Sequence, residues 1–293
     1  LLAYNRVVET VAARTILTPT GGFLLGFTHT LNPYRGCAFG RALCGVYCYA
    51  SETRYGKDRA RAWGSYLLAK ESAADLYRAD AGKVRAKGGA LRIFMASVTD
   101  PYVPQERTLG VTRSILEAMV ELPPDLLVLQ THTPGPLRDR DLLVRLPAVV
   151  QITVETDRER IAGLPPHATP LEARLEALRE LGASGVKTVA VASPLLPLED
   201  PRRFARALGA SARGVILDHW ALGDGSIDGA RTRRERAHAA LPLPRALEAA
   251  GLGEWNTLET FRAVVAVFEE ELGAARVGVS QEGFRRACSG WPG

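Results

Sequence analysis

Seven short runs of β-branched and aliphatic residues alternate along this chain with six longer amphipathic stretches, and that alternation admits few folds. The runs lie at 26–31, 91–97, 126–130, 149–154, 186–192, 215–218 and, more weakly, 276–280. The helical patterns lie at 63–78, 105–121, 138–146, 170–181, 201–208 and 258–272. A parallel strand reaches its neighbour only through a crossover, usually a helix, so consecutive units stack helices against one sheet. Six to seven such units predict an α/β fold, a partial or complete (β/α) barrel with parallel strands. Within the 293 residues there is no internal repeat and no Pro-, Ser- or Gly-rich linker. A single barrel domain over 1–293 is therefore expected, with 221–257 as a helical insertion over one end and 273–293 as a C-terminal tail.

Composition removes other classes. A hydrophobic fraction of 46% with 24% charged residues belongs to a globular chain rather than a disordered, collagenous or disulfide-stapled one. No apolar run approaches the ~20 residues of a spanning helix, and the opening LLAYNRVVET lacks the basic and apolar regions of a secretory signal. The chain reads as soluble and cytoplasmic, with no membrane partner. Lys and Arg total 37 against 32 for Asp and Glu, a surplus suited to a local anionic-ligand patch and too small for a histone-like protein. Arg231, Arg233, Arg234 and Arg236 read as a solvated helix face, with a nucleic-acid contact as the alternative.

Polar residues gather where the strand runs end: Ser97, Thr99 and Asp100, then Thr131 and His132, then Thr153, Glu155 and Asp157, then Asp218 and His219. In a parallel barrel these ends form one face, the one that carries chemistry. Helix capping accounts for any single Thr or Asp among them, but Glu155 and His132 are poor caps.

Three of the four cysteines, Cys37, Cys44 and Cys48, fall within twelve positions, and Cys288 lies near the C-terminus. In an intracellular chain such a cluster points to a metal or to redox chemistry. Three thiolates can hold three irons of a cubane cluster and leave the fourth open. Zinc is the competitor, completed by Cys288 or a histidine, although His29 is the nearest histidine and lies outside the loop.

The run NPYRGC, then VYCYA, then SVTDPYVPQE resembles the spore photoproduct lyase-like branch of the radical S-adenosylmethionine (SAM) enzymes, whose loop reads NPYRGCxHGCVYCYAR. The similarity continues in order through LLVLQTHTPGPLRDRDLL, VQITVETD and PHATPLEARLEALRELGASGVKTVAVASPLLP, from Phe27 to Pro197. The loop departs from the family's CX3CX2C: six residues separate Cys37 from Cys44, and three separate Cys44 from Cys48. Closing a slightly longer loop costs only a fraction of a kcal/mol. The resemblance implies a [4Fe–4S] cluster on the three cysteines, SAM on the open iron, reductive cleavage of SAM and abstraction of a hydrogen atom from a substrate. It places Tyr47 on the adenine, and Ser97, Thr99 and Asp100 at the methionine or ribose end. Thr153 and Glu155 would supply further polar SAM contacts, and Arg174 would pair with the SAM carboxylate. His132 stands where relatives carry a Lys. An external electron donor such as a flavodoxin or ferredoxin is implied.

The family's repair of a thymine dimer uses a nearby cysteine as hydrogen donor, and no cysteine lies near SVTD here. Direct dimer repair is therefore disfavoured, and the substrate is unassigned, with nucleic acid among the candidates. Two other classes stay open: a zinc-binding module built on the cysteines, and a barrel hydrolase using His132, Glu155 and Asp218.

Overall fold

The computed structural model describes residues 9–53, 61–234 and 241–289. Its strands are β1 (Glu9–Val11), β2 (Leu17–Pro19), β3 (His29–Leu31), β4 (Tyr34–Gly36), β5 (Leu67–Lys70) and β6 (Arg92–Met95), followed by β7 (Leu126–Thr131), β8 (Ala148–Thr153), β9 (Lys187–Ala192), β10 (Gly214–Leu217) and β11 (Val277–Val279). Its helices are α1 (Leu43–Tyr47), α2 (Ala73–Ala86), α3 (Glu106–Leu109), α4 (Val111–Glu121), α5 (Arg140–Leu143) and α6 (Leu171–Ala183), then α7 (Pro201–Ser211), α8 (Trp220–Gly223), α9 (Leu243–Ala249), α10 (Leu258–Leu272) and α11 (Ser280–Ser289).

Eight strands form one mixed sheet in the order β11-β10-β9-β8-β7-β6-β3-β2. Every pairing in it is parallel except β2 with β3. The central strands are buried on both faces, which is why they read as continuous apolar runs rather than as an alternation. Leu127, Leu129, Val150, Ile152, Ala190, Val215 and Leu217 face the helical layer. Phe94, Val128, Val149, Val189, Val191 and Ile216 line the opposite, inner face.

Among the described residues no strand pairing joins β2 to β11, so the ladder itself is open. Side chains of α11 bridge its ends. Phe284 meets Phe23 edge-on at 5.5 Å and Phe94 at 6.3 Å, and the Gln281 amide donates to the Gly22 carbonyl at 2.8 Å. The segment 273–293 is thus not a loose tail where it is described, since β11 extends the sheet and α11 packs on its inner face. No helix among the described residues is long and apolar enough to cross a membrane.

A second sheet, β1-β5-β4, frames the entry to the cysteine loop. It corrects the reading of 63–78 as one helix. Leu67 to Lys70 pair with β4 on one side and β1 on the other, a tertiary gain that overrides local helix propensity. The helix starts only at Ala73, after Ser72 at φ 51°. Likewise 105–121 forms two helices, because Gly110 turns the chain at φ 62°. Within 138–146 only Arg140–Leu143 is α-helical, since Gly135–Asp139 is a 3-10 turn and the chain turns again after Leu143. The stretch 221–257 holds the end of α8, α9 and the 3-10 turns Ile227–Gly229 and Gly253–Asn256.

Candidate active site

The cysteine loop leaves β4 at Gly36, carries Cys37 into a turn, places Cys44 and Tyr47 on α1 and ends that helix at Cys48. The Phe39 backbone ties two of the thiols: its N–H donates to Cys37 Sγ at 3.4 Å, and Cys44 Sγ donates to its carbonyl at 3.7 Å. The long spacing is accommodated by close backbone contact. A Cβ on Gly45 would lie 2.1 Å from the Gly40 carbonyl oxygen, and one on Gly40 would lie 2.3 Å from Gly64 Cα. Only glycine permits such approach.

None of the three cysteines is in a disulfide, and all three line one cavity of about 400 Å³. Among the described residues no three His, Cys, Asp or Glu side chains are grouped to hold one metal ion. A single ion would draw its sulfurs to about 2.3 Å from one centre, whereas a cubane gives each thiolate its own iron. Cys37, Cys44 and Cys48 around one cavity are the thiolate set that such a cluster would take. Burial pushes the Cys37 and Cys44 thiols up, and the neighbouring thiols raise both further. Arg174 opposes this at Cys44.

The same cavity is lined by the ends of four strands: Ser97, Thr99 and Asp100 after β6, Gln130 and His132 at the end of β7, Ser193 after β9 and Asp218 after β10. Three bonds clasp the β6 end to the cysteine loop. Thr99 Oγ1 donates to the Gly36 carbonyl at 2.8 Å, Val98 N donates to Asn32 Oδ1 at 3.1 Å, and the Tyr49 hydroxyl donates to the Ser97 carbonyl. Asp100 accepts from Tyr102 N, Thr131 Oγ1 and His132 N, each at 2.8 Å, so its carboxylate ties the end of β6 to that of β7. His132 stands between two carboxylates, Nδ1 at 3.5 Å from Asp100 and Nε2 at 3.7 Å from Glu155. Both distances exceed a direct hydrogen bond.

Thr153, Glu155 and Arg174 lie outside the cavity lining and form its support. Arg174, 1% exposed, donates to Glu155 at 2.8 Å, to the Thr153 carbonyl at 2.9 Å, to Thr169 Oγ1 at 3.0 Å and to the Thr169 carbonyl at 2.9 Å. A guanidinium so occupied faces protein groups, where the resemblance had set it on a cofactor carboxylate. Glu155 also accepts from the Tyr47 hydroxyl. Burial raises the Glu155 carboxyl, but Arg174, His132 and Tyr47 together hold it below its ordinary value. Thr153 Oγ1 accepts from Gln130 at 3.4 Å. The trio His132, Glu155 and Asp218 is not one constellation, since Asp218 bonds instead with Ser193 and His219 N.

A second buried network explains why NPYRG, DPYVPQE and PGPLRDR accompany one another. Tyr34 donates to Glu106, Arg138 bridges Glu106 and Asp139 at 2.7 Å each, and Tyr102 donates to Asp139 at 3.0 Å. Cys288 lies in α11, but its side chain is outside the described residues. Of the arginine cluster, Arg231 lines the cavity, Arg233 sits 4.9 Å over the Trp220 ring, Arg234 lies 3.5 Å from Glu52, and Arg236 is outside the described residues. Sequence reasoning missed the aromatic wall of Trp63, Phe94, Trp220 and Phe284, because these residues are scattered along the chain and carry no spacing signal.

No protein-family model matches this chain. An uncharacterized protein of Methanocaldococcus jannaschii is 29% identical over 189 residues, 64% of this chain and 67% of that protein. An uncharacterized protein of Acidianus two-tailed virus is 30% identical over 161 residues, and the match spans about half of each chain, 52%. Among solved structures, spore photoproduct lyase complexed with dinucleoside spore photoproduct has TM-score 0.57 at 15% identity, covering 92% of this chain and 81% of that one. A mutant of that enzyme with bound AdoMet and the same dinucleoside has TM-score 0.56 at 15% identity. A further mutant, at TM-score 0.52 and 17% identity, covers 71% of this chain and only 59% of its own length is spanned. The fold is similar to that of spore photoproduct lyase.

Proposed function

We propose that this chain is a radical SAM enzyme of the cytoplasm that holds a [4Fe–4S] cluster on Cys37, Cys44 and Cys48 and binds SAM beside it. The observation that carries the reading is the meeting of three thiols and four polar strand ends around one cavity. When bound, the cluster and SAM supply one-electron reductive cleavage and the abstraction of a hydrogen atom from a substrate C–H bond. The chain's own residues orient and seal. Ser97 and Thr99 present their polar groups on the cavity wall, with the Thr99 hydroxyl already committed to the Gly36 carbonyl. Tyr47 lines the cavity between Cys44 and Cys48 with its hydroxyl anchored on Glu155, which leaves the ring to meet the adenine. Arg174 fixes Glu155 and so fixes Tyr47. Trp63, Phe94 and Trp220 give the cavity an apolar wall, the kind of surface that would shield a reactive intermediate from water.

An external flavodoxin or ferredoxin would supply the electron. A nucleic acid is the favoured substrate class, supported by the dinucleoside bound to the fold neighbour and by the formal net charge of +5 on this chain. The test is hydrogen transfer: reduced enzyme incubated with SAM and deuterated candidate substrates should place deuterium in 5′-deoxyadenosine. A reconstituted protein that leaves SAM intact under reducing conditions contradicts the reading.

A further inference from the structure

Val149, Gln151 and Thr153 alternate along the inner face of β8, as every second residue of a strand points to one side. Gln151 is the polar exception deep in that row. It is fully buried, and among the described residues neither its Oε1 nor its Nε2 has a hydrogen-bond partner. In the sheet it stands directly opposite Gln130 of β7 on one side and Val189 of β9 on the other. Gln130 lines the cavity, and its Nε2 reaches Thr153 Oγ1 at 3.4 Å, a long bond.

A primary amide carries two N–H donors and a carbonyl acceptor, and native interiors answer such groups with protein or with ordered water because leaving them unmet is costly. Its inner-face neighbours on β8 and β9, Val149, Val189 and Val191, have no polar side-chain atom. They are also short, whereas the bulky inner residues Phe94 and Phe284 belong to β6 and α11. A hydroxyl donates as well as accepts, so Thr153 can hold Gln130 and a second partner at once. We propose that Gln151 is a binding site for internal water, held by its amide and bridging it to Gln130 and Thr153 behind the cavity wall. Water suits the site because it donates and accepts without charge, while an ion there would be buried with no counter-charge bonded to the amide. The bridge joins the three side chains into one hydrogen-bonded unit, which braces from behind the polar part of the wall that Gln130 provides. The site goes beyond the proposed function and does not depend on it, since no cysteine takes part.

The chain has four glutamines, Gln105, Gln130, Gln151 and Gln281. Selective nitrogen-15 labelling of glutamine in the full chain therefore gives four side-chain amide groups, which single substitutions assign. The Gln151 amide protons should show rotating-frame cross-peaks to water with the sign of dipolar contact, which separates bound water from proton exchange. A high-resolution crystal structure should show ordered water within hydrogen-bond distance of Gln151 and of Gln130 or Thr153. Gln151→Leu removes both polar atoms at similar volume and should lose that water. A Gln151 amide bonded directly to Gln130 or to another protein group, with no water in contact, would overturn the proposal. So would water that persists at the same position in Gln151→Leu, because other groups would then be holding it. Should Gln151→Leu not fold, the wild-type cross-peaks and density still decide.

Discussion

Glu155 is where the supports of the site meet, since Tyr47 and Arg174 both donate to its carboxylate and His132 stands 3.7 Å away. Arg174→Met should cost about 3–5 kcal/mol, because it strands a buried carboxylate beside a thiol; a lowered urea midpoint at unchanged slope would register it. The two buried acids respond to pH in opposite senses. Glu155 sits below its ordinary value of 4.5, so its contribution is present above that value and is lost as pH falls through the lower folded one. Asp218, raised from 3.8 to about 7, contributes fully below 3.8 and loses that contribution as pH rises to about 7. Asp218→Asn should therefore gain roughly 3–4 kcal/mol relative to wild type between pH 4 and pH 8, read from paired denaturation curves. A constant difference across that range would contradict the assignment. Asp100→Ala removes the acceptor of three bonds and should lower stability by about 2–3 kcal/mol. Arg174 is a single letter on an amphipathic helix in the sequence, with Glu172 and Glu176 nearby; those two pair with Arg179 instead. Its partner Glu155 becomes visible only once the β8 end is packed against α6.

At the scale of elements, the loop from Asn32 to Ala50 depends on three small residues as much as on three thiols. Gly45→Ala should block the approach to Gly40, cost about 1–3 kcal/mol as overpacking does, and lower iron uptake with every cysteine intact. Iron uptake equal to wild type would show that the loop relaxes freely. All seven parallel strands expected from the apolar runs are present, because burial on both faces leaves an uninterrupted Val, Ile and Leu signal. The short strands β1, β4 and β5 were not legible. Each has three or four residues, and Leu67 to Lys70 favours a helix until β1 and β4 flank it. The polar strand ends were legible as a face, and the cavity does gather Ser97, Thr99, Asp100, His132 and Tyr47. What spacing could not reveal is which residues face the cavity and which stand behind it, a matter of side-chain direction that put Arg174, Glu155 and Thr153 in the support.

In the whole molecule, an open ladder of eight strands is bridged by α11, which brings Phe284 into the cavity wall between Phe23 and Phe94. The cysteine loop and Asp218 thereby line one cavity from opposite halves of the sheet. The account stands on the three thiols acting together, and iron content measures that most directly. After anaerobic reconstitution the wild-type chain and Cys288→Ala should each be brown and carry a full [4Fe–4S] complement of iron and sulfide. Cys37→Ala, Cys44→Ala and Cys48→Ala should each lose it together with SAM cleavage. Full iron in Cys44→Ala, or its loss in Cys288→Ala, would contradict the assignment.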